Sequence, residues 1–221
     1  MKIHLRIHYG IYLFGGSMLF LLSFVPAKYS AGFKKGKKGI ETLTIYSPVV
    51  HIVANDKRTE YLDSVLTKKN QIFLDSLTHD LLFKKYTLES TSLPMFDMNV
   101  FTGLFEQLED SPKLLDNISA KQLLGELNLE HKSKFALMLV YSGTVNPDFP
   151  PHFNVLYGLA SNTLIIDPST KPYSEMRLMI IDTESEDVVF YDMVKTSNFD
   201  PRISGEVEQL AKKILRKIYY K

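Results

Sequence analysis

Few side chains in this 221-residue chain have the type and spacing that chemistry needs. Beyond the N-terminal segment the histidines are His51, His79, His131 and His152. No two stand four apart, the spacing that sets two metal ligands on one helix face, so no metal signature is present. His79 beside Asp80 reads as a surface residue on the polar side of a helix. His51 lies within a strand, where it is either a base or ligand, or simply a hydrogen-bonded histidine. Tyr141-Ser142-Gly143 closes another strand; it is not G-x-S-x-G, and Ser142 is a weak nucleophile candidate. Gly32, Gly36 and Gly39 lead into a strand and not a helix, which is the wrong geometry for a phosphate cradle. Glu184, Glu186 and Asp187 cluster in a turn where water keeps their charges ordinary. Asp56, Glu60 and Asp63 precede or open a helix, whose dipole favours negative charge there. The chain is therefore expected not to be an enzyme, and no catalytic, cofactor-binding or metal-binding residue is assigned and no cofactor expected. The alternative is a hydrolase with a dispersed site of His51, Ser142 and an Asp.

The elements that would carry these residues are clear at the C-terminal end. Ser174–Thr183 and Phe135–Val145 are apolar on both alternating faces, as strands inside a covered sheet are. Asp187–Thr196, rich in β-branched and aromatic residues, returns as a hairpin partner across the Glu184–Glu186 turn. Ser204 can cap a helix whose Val207, Leu210, Ala211, Ile214, Leu215 and Ile218 make one stripe. Earlier, Thr42–Val53 reads as a strand, with Pro48 marking a bulge or the end of regular pairing. A long helix is expected over Thr59–Phe83, with Thr59 as a possible N-cap, a possible kink near Asn70, and Leu62, Val65, Leu66, Phe73, Leu77 and Leu81 on one face. Tyr86–Glu89 is a short strand, and helices follow over about 98–109 and 118–129. The expectation is an α/β fold: a mixed β-sheet of about five strands with three to four helices, in the order β-α-β-α-α-β-β-β-α.

Composition sets the class and the compartment. An apolar share of 45% and a charged share of 23% suit a chain that buries a core, and a net charge of +1 gives no reason to expect nucleic acid. Residues 1–27 resemble an export signal: Lys2 and Arg6, then the apolar Ile11–Val25, then Val25-Pro26-Ala27 with cleavage expected after Ala27. Fifteen residues of helix span about 22 Å, short of a bilayer core of about 30 Å, which favours cleavage over an uncleaved anchor. Absence of cysteine excludes disulfides, a thiol nucleophile and lipidation on an N-terminal cysteine. Residues 28–39, with Lys34, Lys35, Lys37 and Lys38, are expected to be a flexible Lys/Gly linker, and 40–221 a single α/β domain. The location expected is periplasmic, or the inner membrane if the segment is retained.

Three motifs together resemble the small α/β domain shared by the N-terminal domain of TolB, the curli secretion protein CsgG and lipoprotein activators of cell-wall synthases. Phe135–Val145 is similar to that group's strand ending in glycine, with Gly143 at the glycine. Met176–Val189 is similar to its hairpin, with Asp182 at the Asp, although Ser185-Glu186-Asp187 replaces the usual glycine of the turn. Leu210–Leu215 is similar to its closing helix. The resemblance implies a noncatalytic envelope protein that assembles or regulates partners.

Asn146–Tyr173 holds five prolines and no period, and a loop that long is usually functional or disordered. One helical turn is expected near Asn154–Ser161. Phe149, Phe153 and Tyr157 are the candidate partner-binding residues, since rigid rings give contact area at low entropy cost; the alternative is that they cover an end of the sheet. The function expected is an exported, noncatalytic periplasmic binding or assembly factor of the bacterial cell envelope, with an envelope protein as partner and no small-molecule substrate evident. The alternative within that class is a membrane-tethered subunit of a larger envelope machine.

Overall fold

A computed structural model describes residues 23–24, 26–36, 39–56, 59–92, 98–127, 132–148, 172–197 and 199–219. In chain order the elements begin with β1 (Ser23–Phe24), β2 (Lys28–Tyr29), α1 (Ala31–Gly36), β3 (Thr42–Tyr46), β4 (Val49–Asn55), β5 (Glu60–Leu62) and α2 (Ser64–Leu82). They continue with β6 (Thr87–Thr91), α3 (Asn99–Asp110), α4 (Lys121–Leu127), β7 (Phe135–Val145), β8 (Tyr173–Asp182), β9 (Asp187–Thr196) and α5 (Ser204–Tyr219).

Among the described residues all nine strands belong to one mixed sheet, in the order β1-β9-β8-β7-β3-β6. β2 lies beside β9 along with β1, and β4 beside β7 along with β3, while β5 pairs back on β4. The antiparallel ladders β7–β8 and β8–β9 make the centre, and the pairings of β3 with β6 and of β3 and β4 with β7 are parallel. Alternation divides the side chains between two faces. One packs Leu137, Leu139, Tyr141, Leu178 and Ile180 beneath α2 and α5, and the other packs Met138, Val140, Met179 and Tyr191 beneath α3 and α4. The class is the α/β expected, with helices on both sides of the sheet. The strand number is higher because Thr42–Val53 divides and three short strands join it.

The division falls at Ser47-Pro48. Proline has no N–H for a ladder. Here the Ser47 N–H turns to Thr91 O (3.0 Å) and the Pro48 carbonyl accepts from Gln71 Nε2 (3.2 Å), so the chain steps from one pairing to the next.

Several expectations are corrected. Residues 28–36 of the supposed linker are ordered elements: Lys28 and Tyr29 pair with Tyr191 and Phe190, and Phe33 is buried against the rings of Phe135 and Phe190. The Gly/Lys composition obscured two aromatic anchors. The long helix starts later than expected, because Asp63 and not Thr59 is its N-cap, accepting from Leu66 N at 2.9 Å. Its buried stripe is Leu66, Asn70, Leu74, Thr78 and Leu82, and Leu62 and Val65 face outward. Asn70 does not open the helix; its side-chain amide donates to Leu66 O and to Pro201 O, each at 3.0 Å. Ser204, expected as a cap, is the first residue of α5. The expected turn at Asn154–Ser161 lies outside the described residues.

Candidate functional site

The polar residues converge where β7 ends and β8 begins, on the face covered by α3. Two of the dispersed candidates meet there: His51 on β4 is the register partner of Ser142 on β7. The same row continues through Glu175 on β8 to Lys195 on β9. A base beside a hydroxyl is the start of a nucleophile pair, but a triad needs its acid on the base. In this row the acid lies on the far side of the serine, and it is otherwise engaged. Glu175 is buried, bonded to the Arg177 guanidinium and accepting from the Tyr173 hydroxyl.

Arg177, one row further along the same face, ties this corner to α3. It bonds Glu109 Oε1 through Nε at 3.0 Å and through a terminal nitrogen at 2.9 Å, and its guanidinium lies 4.7 Å over the Phe105 ring. Tyr191 donates to the same Glu109 oxygen at 3.2 Å. Burial alone would lower the Arg177 pKa, but Glu175, Tyr191 and Glu109 outweigh it and hold the pKa above its ordinary value. Burial raises the phenols of Tyr173 and Tyr191, and the carboxylates around them add to the shift. Cation, acids and phenols thus hold one another.

Lys28 completes the corner. Its ammonium reaches the C-terminal end of α3 and donates to Leu108 O (2.6 Å), Glu109 O (2.8 Å) and Ser111 O (2.6 Å). The last carbonyls of a helix have no N–H of that helix to accept from; Leu108 O also accepts from Ser111 Oγ at 2.7 Å, and a cation there suits the helix dipole. Burial lowers the Lys28 pKa, opposed by Glu109 and Asp110.

The other face of the same sheet end is closed by residues 199–206. Pro201 packs on Gly143, where an added Cβ would lie 2.6 Å from Pro201 Cγ and 3.1 Å from Tyr173 O. Tyr141 Oη and Ser174 Oγ share a hydrogen bond of 2.9 Å, and Ser174 donates to Phe199 O at 3.0 Å. Arg202 binds Asp200 through Nε and a terminal nitrogen and donates to Asn146 O at 3.2 Å. Both roots of the 146–173 excursion are therefore fixed, Asn146 by Arg202 and Tyr173 by Glu175.

Phe149, Phe153 and Tyr157 lie outside the described residues, as do His131 and His152 and the residues up to 22 of the proposed signal. His79 is an exposed helix residue stacked on Phe83. Among the described residues no group of three or more His, Cys, Asp or Glu is placed to hold a metal ion, and no helix is long and apolar enough to cross a membrane. Sequence reasoning missed Lys28, Glu109 and Arg177. The available signal was a Glu and an Arg inside Ser174–Thr183, a strand otherwise apolar on both faces.

No family model matches the chain, and no curated protein matches it. Among solved structures it is similar to the PelC dodecamer from Paraburkholderia phytofirmans, at 11% identity and a TM-score of 0.35, over 82% of this chain and 89% of that one. It is also similar to a neuraminyllactose-binding hemagglutinin homolog from Helicobacter pylori, at 10% identity and a TM-score of 0.39, over 82% of each chain.

Proposed function

We propose that this protein is an exported, noncatalytic binding or assembly factor of the bacterial cell envelope, which holds a protein partner with Phe149, Phe153 and Tyr157. The observation that carries the reading is how the charges at the sheet end are used. Arg177 is held by two carboxylates, Lys28 by three carbonyls and Asp200 by Arg202. Groups that acid–base chemistry would need free are instead fixing a platform on which both ends of the 146–173 excursion are seated. Export with cleavage after Ala27 is supported by the charged start, the apolar run and Val25-Pro26-Ala27; retention at the inner membrane is the competing form. Kinship with the TolB N-terminal and CsgG-like domains is supported by the work that Gly143 and Asp182 do here. Gly143 admits Pro201, and Asp182 Oδ1 accepts the Glu184 N–H at 3.0 Å in the hairpin turn.

The test is affinity capture from the native envelope with intact-mass analysis of the captured chain. We expect a mature N-terminus at Lys28 and an envelope protein that is lost on Phe153→Ala while the melting temperature holds. Capture indifferent to Phe149→Ala, Phe153→Ala and Tyr157→Ala, or a melting temperature that falls with it, would show that the rings cover the sheet end and bind nothing.

A further inference from the structure

The outward face of α2 carries apolar residues that stand exposed among the described residues. Val65 is 79% exposed and Ile72 60%, and Tyr61, Leu62 and Phe83 are each about half exposed. Val65, Ile72 and His79 are spaced seven apart and so fall within about 20° of successive members on one line of the helix. Phe83, stacked on His79, extends that line past the C-terminal end of α2. The seam lies opposite the stripe of Leu66, Asn70, Leu74, Thr78 and Leu82 that faces the sheet. Over its 19 residues the helix is about 28 Å long.

The charges beside the seam are divided by sign about its middle. Ahead of Ile72 stand Lys68 and Lys69; behind it stand Asp75 and Asp80, and all four are exposed. Further out the order repeats in reverse, with exposed Glu60 ahead and exposed Lys84 behind. Such a face is complementary to itself in one orientation. When two copies lie antiparallel about a two-fold axis at Ile72, positions equally far on either side of Ile72 come level. Ile72 then meets Ile72, Val65 meets His79, Lys69 comes level with Asp75 and Lys68 with Ser76. A parallel pairing would bring like charges together. Opposite charges at such a rim select orientation and partner more than they add affinity.

We propose that the α2 seam is the interface of a two-fold symmetric dimer of this chain, with the helices antiparallel and crossing at Ile72. Each copy offers the same patch, as an isologous contact requires. A seam one helix wide is at the small end of specific interfaces, so the dimer is expected in the micromolar range. The inference goes beyond the binding role proposed above and does not depend on it.

The test is sedimentation equilibrium of the full chain at low and high salt. The natural sequence should dimerise, more weakly as salt rises. Ile72→Asp, and separately Lys68→Asp with Lys69→Asp, should weaken association at least tenfold while circular dichroism is unchanged. Asp75→Lys with Asp80→Lys should do the same. An equimolar mixture of the two charge variants should associate again, because positions 68, 69, 75 and 80 are then all negative on one seam and all positive on its mate. A natural chain that stays monomeric at concentrations on the order of 100 µM would overturn the proposal and leave the seam to a different protein. Association indifferent to the charge variants would also overturn it, and would place the contact elsewhere in the chain.

Discussion

Two residues show backbone geometry and residue type in opposite relation. Glu186 closes the β8–β9 turn with φ of 59°, the left-handed region that a side chain disfavours by about 1 kcal/mol, and Ala120 N–H holds its carbonyl at 2.7 Å. Glu186→Gly should raise stability by roughly 0.5–1 kcal/mol. Gly143 is the reverse, a glycine kept because Pro201 occupies the volume of a Cβ. Gly143→Ala should cost roughly 1–3 kcal/mol, since proline and the Tyr173 carbonyl have little room to retreat. Urea denaturation of the two variants, read side by side, should move the midpoint in opposite directions. Equal or same-sign shifts would mean that the turn or the Pro201 contact relaxes freely.

Among the elements, the seating of α5 on β9 depends on one buried charge. Asp192 is fully buried, accepts from Lys217 Nζ at 2.8 Å, and has a second oxygen with no hydrogen bond. Burial raises its pKa above 3.8 even though Lys217, the Met193 N–H and Lys213 pull the other way. With the folded value raised, protonation favours the folded state. That contribution is complete below pH 3.8 and is lost as pH rises through the folded pKa. Lys217→Met should therefore destabilise at pH 7 by roughly 2 kcal/mol, discounted because Lys217 is a third exposed, and by clearly less near pH 4. Asp192→Leu combined with Lys217→Met should recover most of the loss. Denaturant titrations at both pH values check this, and an equal penalty at each would remove Asp192 from the explanation. The sequence made α5, β7 and β8 legible for simple reasons: a stripe at spacings of three and four, and strands with apolar residues on both alternating faces. It misled at Leu62 and Val65, because an apolar residue does not say whether its own core or another surface will take it. Nor could it pair Arg177 with Glu109, which lies 68 positions away. A charge in an apolar strand announces that a partner exists, not which one. At residues 28–36 a composition typical of linkers outweighed Tyr29 and Phe33.

For the whole molecule, those N-terminal residues decide where the folded unit begins. A chain starting at Lys28 keeps β2, α1 and the cap on α3, and should match the full chain within about 1 kcal/mol. A chain starting at Ile40 loses the Lys28 bonds and the buried Phe33 ring. It should be less stable by roughly 5 kcal/mol, a large part of what a domain has. Equal urea midpoints for the two truncations would return residues 28–39 to the role of linker. The placement of β2 also governs when the fold can close. β2 lies against β9, Lys28 beside Tyr191 and Tyr29 beside Phe190. A polypeptide that emerges amino end first, from a ribosome or through a translocation channel, therefore carries β2 without its strand partner for most of its passage. The pairing of β2 with β9 cannot close until residues 190 and 191 have arrived.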